Sequence, residues 1–362
     1  MLKQQKIFFD FLRFCIGSAK EIPDSLKEAD WKELYTIAKK QCLVGVLFDG
    51  IKKLPAEHVG MEKELLLQWM AESQMLEKAN VRLNDAAIQV SEWFRKKGFR
   101  TCILKGQGNA LLYPNGLHRT PGDIDIWVEG GDKRVISFVR SISPHEKACY
   151  HHIEFPSYKG VEVEVHYRPS FLLCFWHNRK LQKYYERVKE EQFSHRVMLG
   201  EQGEVAIPTA EFNLIFQLTH IYAHLMNEGI GLRQLLDYNY VLSMLSVNNE
   251  MLTSLQEELK QLGLWKFAGA IMYIMQEVFG MSASRLIVPP NEKYGKFVLN
   301  EVLEAGNFGK HDERNRFERS KLGHNLQRVY RDIRLVKYFP VEALSEPIFR
   351  TWHFFWRMKN KK

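Results

Sequence analysis

Two aspartates separated by one residue, Asp123 and Asp125, lie in a run of strand-forming residues that extends to Val128. Because side chains alternate along a strand, both carboxylates are predicted to point to one face. Positions on one face are roughly 6.5–7 Å apart, so flexible carboxylates there can converge on one divalent cation, or on two about 3.5–4 Å apart. Such oxygen ligands suit Mg²⁺ or Mn²⁺. A solvated surface strand is the structural alternative.

A third carboxylate is predicted on a later strand, between Val161 and Tyr167, where valines alternate with polar residues. The run before it, separated by a turn predicted over residues 156–160, completes a β-hairpin. The polar face of this hairpin would present His152, Glu154, Glu162, Glu164 and His166. Acidic side chains from two such strands can form a cage for a cation. The alternation alone leaves Glu162 and Glu164 equivalent as the third ligand.

A glycine-bearing turn from Lys105 to Gly108 follows a short strand predicted over residues 99–104 and precedes a helix that contains Ala110. This strand–turn–helix order can hold a phosphate near the start of the helix. Ordinary tight-turn glycines are an equally simple interpretation. The turn lacks the third glycine of a dinucleotide fingerprint and the Gly-Lys-Ser/Thr of a P-loop, which excludes those two kinds of nucleotide site.

A polar stripe runs along a helix predicted over residues 211–227. Its members recur at steps of three and four residues: Asn213, Gln217, His220, His224 and Asn227. Such a stripe can face a nucleotide across a cleft, or it can be a solvated face. The spacing of His220 and His224 superficially suggests zinc, but the glutamate of a metalloprotease motif is absent from the sequence between them.

Arg119 and Arg233 are candidate phosphate ligands, because a guanidinium can bind an anion in bidentate fashion. Each has a structural alternative. Arg119 can instead pair with an aspartate, and Arg233 lies one helical turn before Asp237, where an intrahelical ion pair is possible.

The elements that must position these residues predict an α+β protein, with a small mixed β-sheet flanked by helical regions at both ends. Residues 1–97 are predicted to be helical, most clearly from Lys63 to Lys97, where apolar residues recur at helical spacing. Residues 98–170 form the α/β core. Residues 171–362 are mainly helical, with a small hairpin or loop over 198–208 and a terminal helix that buries its aromatic residues.

Composition limits the possible partners and the compartment. The chain has 362 residues, a formal charge of +8 and five widely spaced cysteines without a Cys-x-x-Cys pair. A moderate basic excess suits a phosphate-bearing partner. The cysteine pattern argues against structural zinc and disulfides and favours a cytoplasmic protein. The sequence contains no apolar run approaching the roughly 20 residues of a membrane span. We expect neither a membrane nor a DNA partner.

These motifs together resemble the nucleotidyltransferase superfamily that includes DNA polymerase β, and most closely a poorly characterised bacterial branch of it. The matching segments are residues 103–106, 110–114, Arg119, 122–126, 164–167 and Asp237. The resemblance covers residues 98–170 strongly and 205–245 more loosely. One departure concerns the turn, which reads Lys105-Gly106-Gln107-Gly108 where the superfamily usually has a Gly-Gly or Gly-Ser pair.

The resemblance implies a metal-dependent transfer of a nucleotide monophosphate from an NTP such as ATP to an acceptor hydroxyl, with release of pyrophosphate. It implies that Asp123, Asp125 and Glu164 bind Mg²⁺ (or Mn²⁺) and act in catalysis, and it selects Glu164 over Glu162. The expected nucleotide-binding residues are Lys105, Gly106, Gly108, Arg119, His220, His224 and Arg233.

The acceptor class stays open among small molecules, RNA and proteins. Two alternative functions share these residues. The first is a catalytically silent module that binds nucleotide or metal and acts through a partner, which the missing serine leaves open. The second is a toxin-like nucleotidyltransferase that modifies tRNA or a protein.

Overall fold

The computed structural model describes residues 3–55, 58, 60–201, 203–245, 248–312, 314 and 321–360. Within them the α-helices are α1 Lys3–Cys15, α2 Trp31–Lys40, α3 Val44–Ile51, α4 Lys63–Lys96, α5 Gly106–Ala110, α6 Gly131–Ile142, α7 Phe175–Ser194, α8 Ala210–Asn227, α9 Leu232–Met244, α10 Asn249–Gln261, α11 Trp265–Phe279, α12 Glu292–Ala305, α13 Lys321–Val336 and α14 Pro340–Lys359. The strands are β1 Thr101–Leu104, β2 Ile124–Val128, β3 His152–Tyr158, β4 Val161–His166, β5 Arg196–Met198 and β6 Glu204–Ala206.

The first four strands form one mixed sheet in the order β1-β2-β4-β3. Strand β2 is antiparallel to β1 and parallel to β4, and β3 is antiparallel to β4. The strands β5 and β6 form a separate two-stranded hairpin. The chain is therefore α+β with a small mixed sheet between helical regions, and the fold-class prediction is confirmed.

Side-chain alternation in β2 sends its residues into two different apolar cores. Ile124, Ile126 and Val128 pack with the second half of α4 and with α6. Trp127, on the other face, stacks on Phe212 of α8 in the larger core that contains most of the C-terminal helices. Asp125 shares the face of Trp127, so the fold places this carboxylate beneath helices and not on an open surface.

The helix predicted from Lys63 to Lys97 and the hairpin predicted over residues 198–208 are both present. Helix α4 extends over 34 residues, ends at Lys96 and is followed by Gly98 at a φ of +80°. In the first hairpin the turn is shorter than predicted, because β3 continues through Tyr158 and leaves Lys159 and Gly160 to reverse the chain.

The C-terminal helix α14 forms as predicted, but it buries only part of its aromatic side chains. Phe349 is buried against Tyr150 and Phe171. Phe354 and Phe355 are 52% and 62% exposed, so the prediction of burial is wrong for these two. Among the helices that the structure describes, none combines the length and the hydropathy needed to cross a membrane.

Candidate active site

Strand pairing brings the three predicted carboxylates together. Asp125 lies in β2 directly opposite Glu164 of the parallel strand β4 and opposite Leu104 of β1. Asp123 immediately precedes β2. Oxygen atoms of Asp123, Asp125 and Glu164 lie within 4.8 Å of one another. Glu162 is exposed and lies one position before the part of β4 that pairs with β2. The strand register therefore distinguishes Glu164, which lies opposite Asp125, from Glu162, although alternation left the two equivalent.

Asp125 is almost fully buried and each of its oxygens has a cationic partner. Lys105 Nζ is 3.0 Å from Oδ2, and His166 Nε2 is 2.8 Å from Oδ1. Burial acts to raise the pKa of Asp125, but the charge of Lys105 and the hydrogen bond from His166 outweigh it and lower that pKa. The same contacts with Asp125 and Glu164 raise the pKa of His166 to about 9 against the opposing effect of burial.

Asp123 is in the opposite electrostatic situation. The charge of Asp125, followed by partial burial, raises the pKa of Asp123 to about 6, and Lys105 offsets only part of this. Glu164 is opposed by burial, but the hydrogen bond with His166 prevails and lowers its pKa. Three carboxylates thus share one pocket with two protein cations, and one of the three, Asp123, holds its proton more tightly than usual.

The turn that carries Lys105 is held in an unusual backbone conformation. Lys105 has a φ of +50° and Gly106 a φ of +31°, a region where residues with a Cβ are strained. This geometry directs the Lys105 side chain back to Asp125. Gly106 and Gly108 belong to α5 itself, which corrects the prediction that both glycines precede a helix holding residues 110–112. An added Cβ at Gly108 would meet Ile207 at 3.3 Å, so this glycine serves packing.

Arg119 makes the structural pair that the sequence left as its alternative role. Its Nε and Nη2 donate to Asp237 Oδ1 and Oδ2 at 2.8 and 2.7 Å, and both residues are buried. The Tyr113 hydroxyl donates to the same carboxylate at 2.7 Å. This bidentate pair fastens the segment before Asp123 to helix α9. It also replaces the predicted alternative of an ion pair between Arg233 and Asp237.

Arg233 reaches the same segment through backbone contacts. Its Nη1 donates to the carbonyl oxygens of Thr120 and Pro121 at 3.0 and 3.3 Å. Its Nε is buried and has no hydrogen-bond partner among the residues that the structure describes. Burial, followed by the nearby charge of Arg119, lowers the pKa of Arg233. A buried guanidinium with an unused donor beside Asp123 is suited to an anionic ligand.

The polar stripe of α8 faces the site along only part of its length. Gln217 is buried and donates to Asn109 of α5 at 2.8 Å, which ties the glycine turn to α8. His220 Nε2 lies 3.3 Å from Lys105 Nζ, and burial followed by that charge lowers the His220 pKa. His224 pairs with Glu228 one turn on. The cleft interpretation therefore fits His220, His224 and Asn227, and also Gln217 in addition to its structural contact, because all four line cavities at the carboxylates, whereas Asn213 does not.

Two cavities meet at the carboxylates. The smaller, of about 50 Å³, lies toward Gly106, Gly122 and Arg233. The larger, of about 420 Å³, lies toward Glu164, Phe171 and helix α8. Both are lined by Lys105, Asp123, Asp125, His220 and Phe308. The acidic residues thus stand where a group held in one cavity would meet a group held in the other.

Besides His220 and His224, the larger cavity is lined by three further histidines, to which sequence patterns assigned no catalytic or binding role. They are His151, His152 and His166. Burial, followed by the charge of His166, lowers the pKa of His152 to about 4. The signal for His152 and His166 was present, because alternation put both on the polar face of the predicted hairpin. Its meaning depended on the β3–β4 register, in which His152 pairs with His166.

The donor set fits the divalent cation that the sequence predicts. Carboxylate oxygens from three residues within 4.8 Å of one another are the ligands that Mg²⁺ and Mn²⁺ prefer. The raised pKa of Asp123 reflects negative charge that Lys105 and His166 do not fully balance. A cation at Asp125 would compete with Lys105 and His166 for its two oxygens.

Comparison with known proteins gives a family but few individual relatives. No curated protein matches this chain significantly. A crystal structure of an antigenic nucleotidyltransferase-like protein from Paracoccidioides brasiliensis is similar, at 14% sequence identity and a TM-score of 0.34. The similarity covers 60% of this chain and 95% of that one. The family described as uncharacterised nucleotidyltransferase matches residues 27–280. Because this match extends over more than two thirds of the 362-residue chain, the protein belongs to that nucleotidyltransferase family.

Proposed function

We propose that this protein is a metal-dependent nucleotidyltransferase that moves a nucleotide monophosphate from an NTP to an acceptor hydroxyl. The observation that carries the proposal is the meeting of Asp123, Asp125 and Glu164 at the junction of two cavities, with Lys105 beside them. Membership of a nucleotidyltransferase family supports the reaction class.

The phosphates of the NTP would be held on the side of the smaller cavity. Lys105 and Arg233 are the cations there, and the buried Nε of Arg233 supplies a donor with no partner in the described part of the protein. The backbone of Gly106 lies on the same wall. Arg119 would act indirectly, because its ion pair with Asp237 holds the segment before Asp123 against α9.

The acceptor would enter through the larger cavity, where Glu164 lies. Bound Mg²⁺ or Mn²⁺ would be held by Asp123, Asp125 and Glu164 and would stabilise the negative charge on the attacking and leaving oxygens. Glu164, whose lowered pKa keeps it ionised at neutral pH, can take the proton of the acceptor hydroxyl. The hydroxyl oxygen then bonds to the α-phosphorus, the bond to the β-phosphate breaks, and pyrophosphate leaves.

The test is incubation with each of the four α-³²P-labelled NTPs, with Mg²⁺ or Mn²⁺ and with cell extract as acceptor. We expect the wild type to transfer label and Asp123→Asn to lose at least about a hundredfold, because the substitution removes a ligand charge at nearly constant shape. The size of the labelled product and its sensitivity to nuclease or protease would give the acceptor class. Equal transfer by the wild type and by both Asp123→Asn and Asp125→Asn would refute the mechanism.

A catalytically silent binding module is the second candidate, and two contacts of Asp125 favour it. Both oxygens of Asp125 are already bound by Lys105 and His166, an arrangement that balances its charge without a metal. Saturable binding of NTP with metal, without release of pyrophosphate from any of the four NTPs, would support this candidate over transfer.

A further inference from the structure

Two imidazoles stand next to the acidic centre at the ends of adjacent strands. His152 begins β3 and His166 ends β4, and the two residues are paired in the antiparallel register. Glu164, two residues before His166 on the same strand, projects to the same face. All three line the cavity of about 420 Å³, so a small ion can reach them from solvent.

The two distances from Glu164 to the histidine nitrogens are compatible with a metal site. Glu164 Oε2 is 3.4 Å from His152 Nδ1 and 3.4 Å from His166 Nε2. In a tetrahedral site with bonds of about 2.1 Å, neighbouring ligand atoms are separated by about 3.4 Å. N–H···O hydrogen bonds between such atoms are usually about 2.7–3.2 Å long, so the contact of Glu164 with each histidine is a long one. Asp125 Oδ1, at 2.8 Å from His166 Nε2, is at hydrogen-bonding distance and would have to move to serve as a fourth ligand.

His166 can bind a cation only by giving up the proton that its Nε2 donates to Asp125 Oδ1 at 2.8 Å. Its Nδ1 is 3.3 Å from the carbonyl oxygen of Arg168, so this nitrogen can donate there while Nε2 binds a cation. Such a second hydrogen bond commonly orients metal-binding histidines. His152 Nδ1 lies 3.1 Å from His151 Nε2, a contact that a cation bound to Nδ1 would replace.

We propose that His152, Glu164 and His166 form a binding site for a divalent transition-metal cation, beside the all-oxygen position of Asp123 and Asp125. Imidazole suits Fe²⁺, Cu²⁺ or Zn²⁺, and Mn²⁺ accepts it beside the oxygen ligands that it prefers, whereas Mg²⁺ takes oxygen ligands. Glu164 belongs to both groups and therefore couples them. Cation binding at this site does not depend on nucleotidyl transfer, whereas its effect on the reaction rests on the proposed function.

Pulsed electron paramagnetic resonance of Mn²⁺ added to the chelator-treated full-length protein tests this site. Imidazole ligands give the Mn²⁺ signal a ¹⁴N modulation that an all-oxygen site lacks. We expect this modulation in the wild type, a weaker modulation and at least about a tenfold lower Mn²⁺ affinity in His152→Gln and in His166→Gln, each of which keeps one imidazole, and no modulation in the double variant. The matched control is His224→Gln, which changes a histidine of the same cavity away from Glu164 and should retain the modulation.

An absent ¹⁴N modulation in the wild type would overturn the proposal, as would a modulation that survives in the variant carrying both His152→Gln and His166→Gln. If His166→Gln does not fold by circular dichroism, His152→Gln and Glu164→Gln decide the outcome. Asp123→Asn separates this site from the proposed reaction, since it should lose label transfer and keep the modulation. Modulation without label transfer in the wild type would leave the metal site standing and contradict only the proposed function.

Discussion

Asp123 and Asp125 are chemically identical, yet their surroundings give them opposite effects on stability. Asp125 is bound by Lys105 and His166, which lower its pKa, while Asp123 meets the charge of Asp125 and has its pKa raised to about 6. A carboxyl with a raised native pKa loses stabilising effect as pH rises, and one with a lowered native pKa gains it. The charge of Asp123 should therefore destabilise the fold at neutral pH, whereas the charge of Asp125 should stabilise it.

We expect Asp123→Asn to raise the thermal unfolding midpoint of the metal-free protein at pH 7.5. The ordinary pKa of the carboxyl is 3.8 and the native value about 6, so wild-type stability falls as pH rises through that interval. Removing the charge should recover about 1 kcal/mol, discounted because the side chain is only partly buried. The gain should vanish near pH 3.5, and a gain equal at both pH values would contradict the assignment.

Asp125→Asn should do the reverse and lower the unfolding midpoint at pH 7.5. It leaves Lys105 and His166 buried without their charged partner, a change that typically destabilises by about 3 kcal/mol or more. The measurement is thermal unfolding in chelator. A midpoint equal to that of the wild type would show that the Lys105–Asp125–His166 contacts contribute nothing to the fold.

At the scale of elements, helix α9 acts as an anchor for the segment that leads into β2. Asp237 of α9 binds Arg119, and Arg233 of the same helix binds the carbonyl groups of Thr120 and Pro121. The short segment before Asp123 is thus fixed from one helix at several points. The sequence left Arg119 as either a nucleotide ligand or the partner of an aspartate, and local sequence does not show that the partner is Asp237, 118 residues later in the chain.

A double-mutant cycle tests this anchor. Arg119→Met and Asp237→Leu should each reduce the free energy of unfolding by about 3–5 kcal/mol, because each leaves one buried charge unpaired. The double variant should be less destabilised than the sum of the two, since it leaves neither charge behind. Urea unfolding of all four proteins gives the coupling energy, and additive effects would rule out the buried pair.

Helices α13 and α14 carry a second acidic contact that works against folding. Burial, followed by the charge of Glu346, raises the pKa of Asp332 from 3.8 to about 7. The native carboxyl binds its proton more tightly than the unfolded one, so stability falls as pH rises between these values. Asp332→Asn should raise the unfolding midpoint at pH 8 by about 2–4 °C, with a smaller gain at pH 5. A gain that did not increase with pH would contradict the Asp332–Glu346 repulsion.

At the scale of the whole molecule, the sheet depends on helices far away in sequence. The ring of Trp127 lies 4.6 Å from that of Phe193 and 5.9 Å from that of Phe212. The N-terminal helix α1 packs against α11, more than 200 residues later in the chain, in the same core. The division at residues 97 and 170 stays a prediction about sequence segments, and the packing crosses both boundaries.

An isolated fragment of residues 98–170 should therefore not fold. Without α7 and α8, the face of the sheet that holds Cys102, Leu104 and Trp127 would be exposed to water, at roughly 1.5–3 kcal/mol for each large apolar side chain. Dispersed amide proton signals in the NMR spectrum of the fragment would show the opposite, namely that the core is an independent domain.

The sequence by itself determined the local elements and the candidate acidic residues. Periodicity predicts α4, alternation predicts the β3–β4 hairpin, and the Asp-x-Asp spacing predicts two carboxylates on one face of a strand, of which Asp125 lies in β2 and Asp123 immediately before it. These are short-range signals, because backbone geometry repeats every two residues in a strand and every 3.6 in a helix. The α+β fold class follows from the same patterns.

Only the tertiary structure decided which distant residues meet these carboxylates. The parallel pairing of β2 with β4 places Glu164 opposite Asp125, and it brings His166 to the same carboxylate. The packing of α9 gives Arg119 a buried partner, and the positive φ of Lys105 turns its ammonium group toward Asp125. Strand register and helix packing join residues of large sequence separation, and no local pattern of residue types encodes those distances.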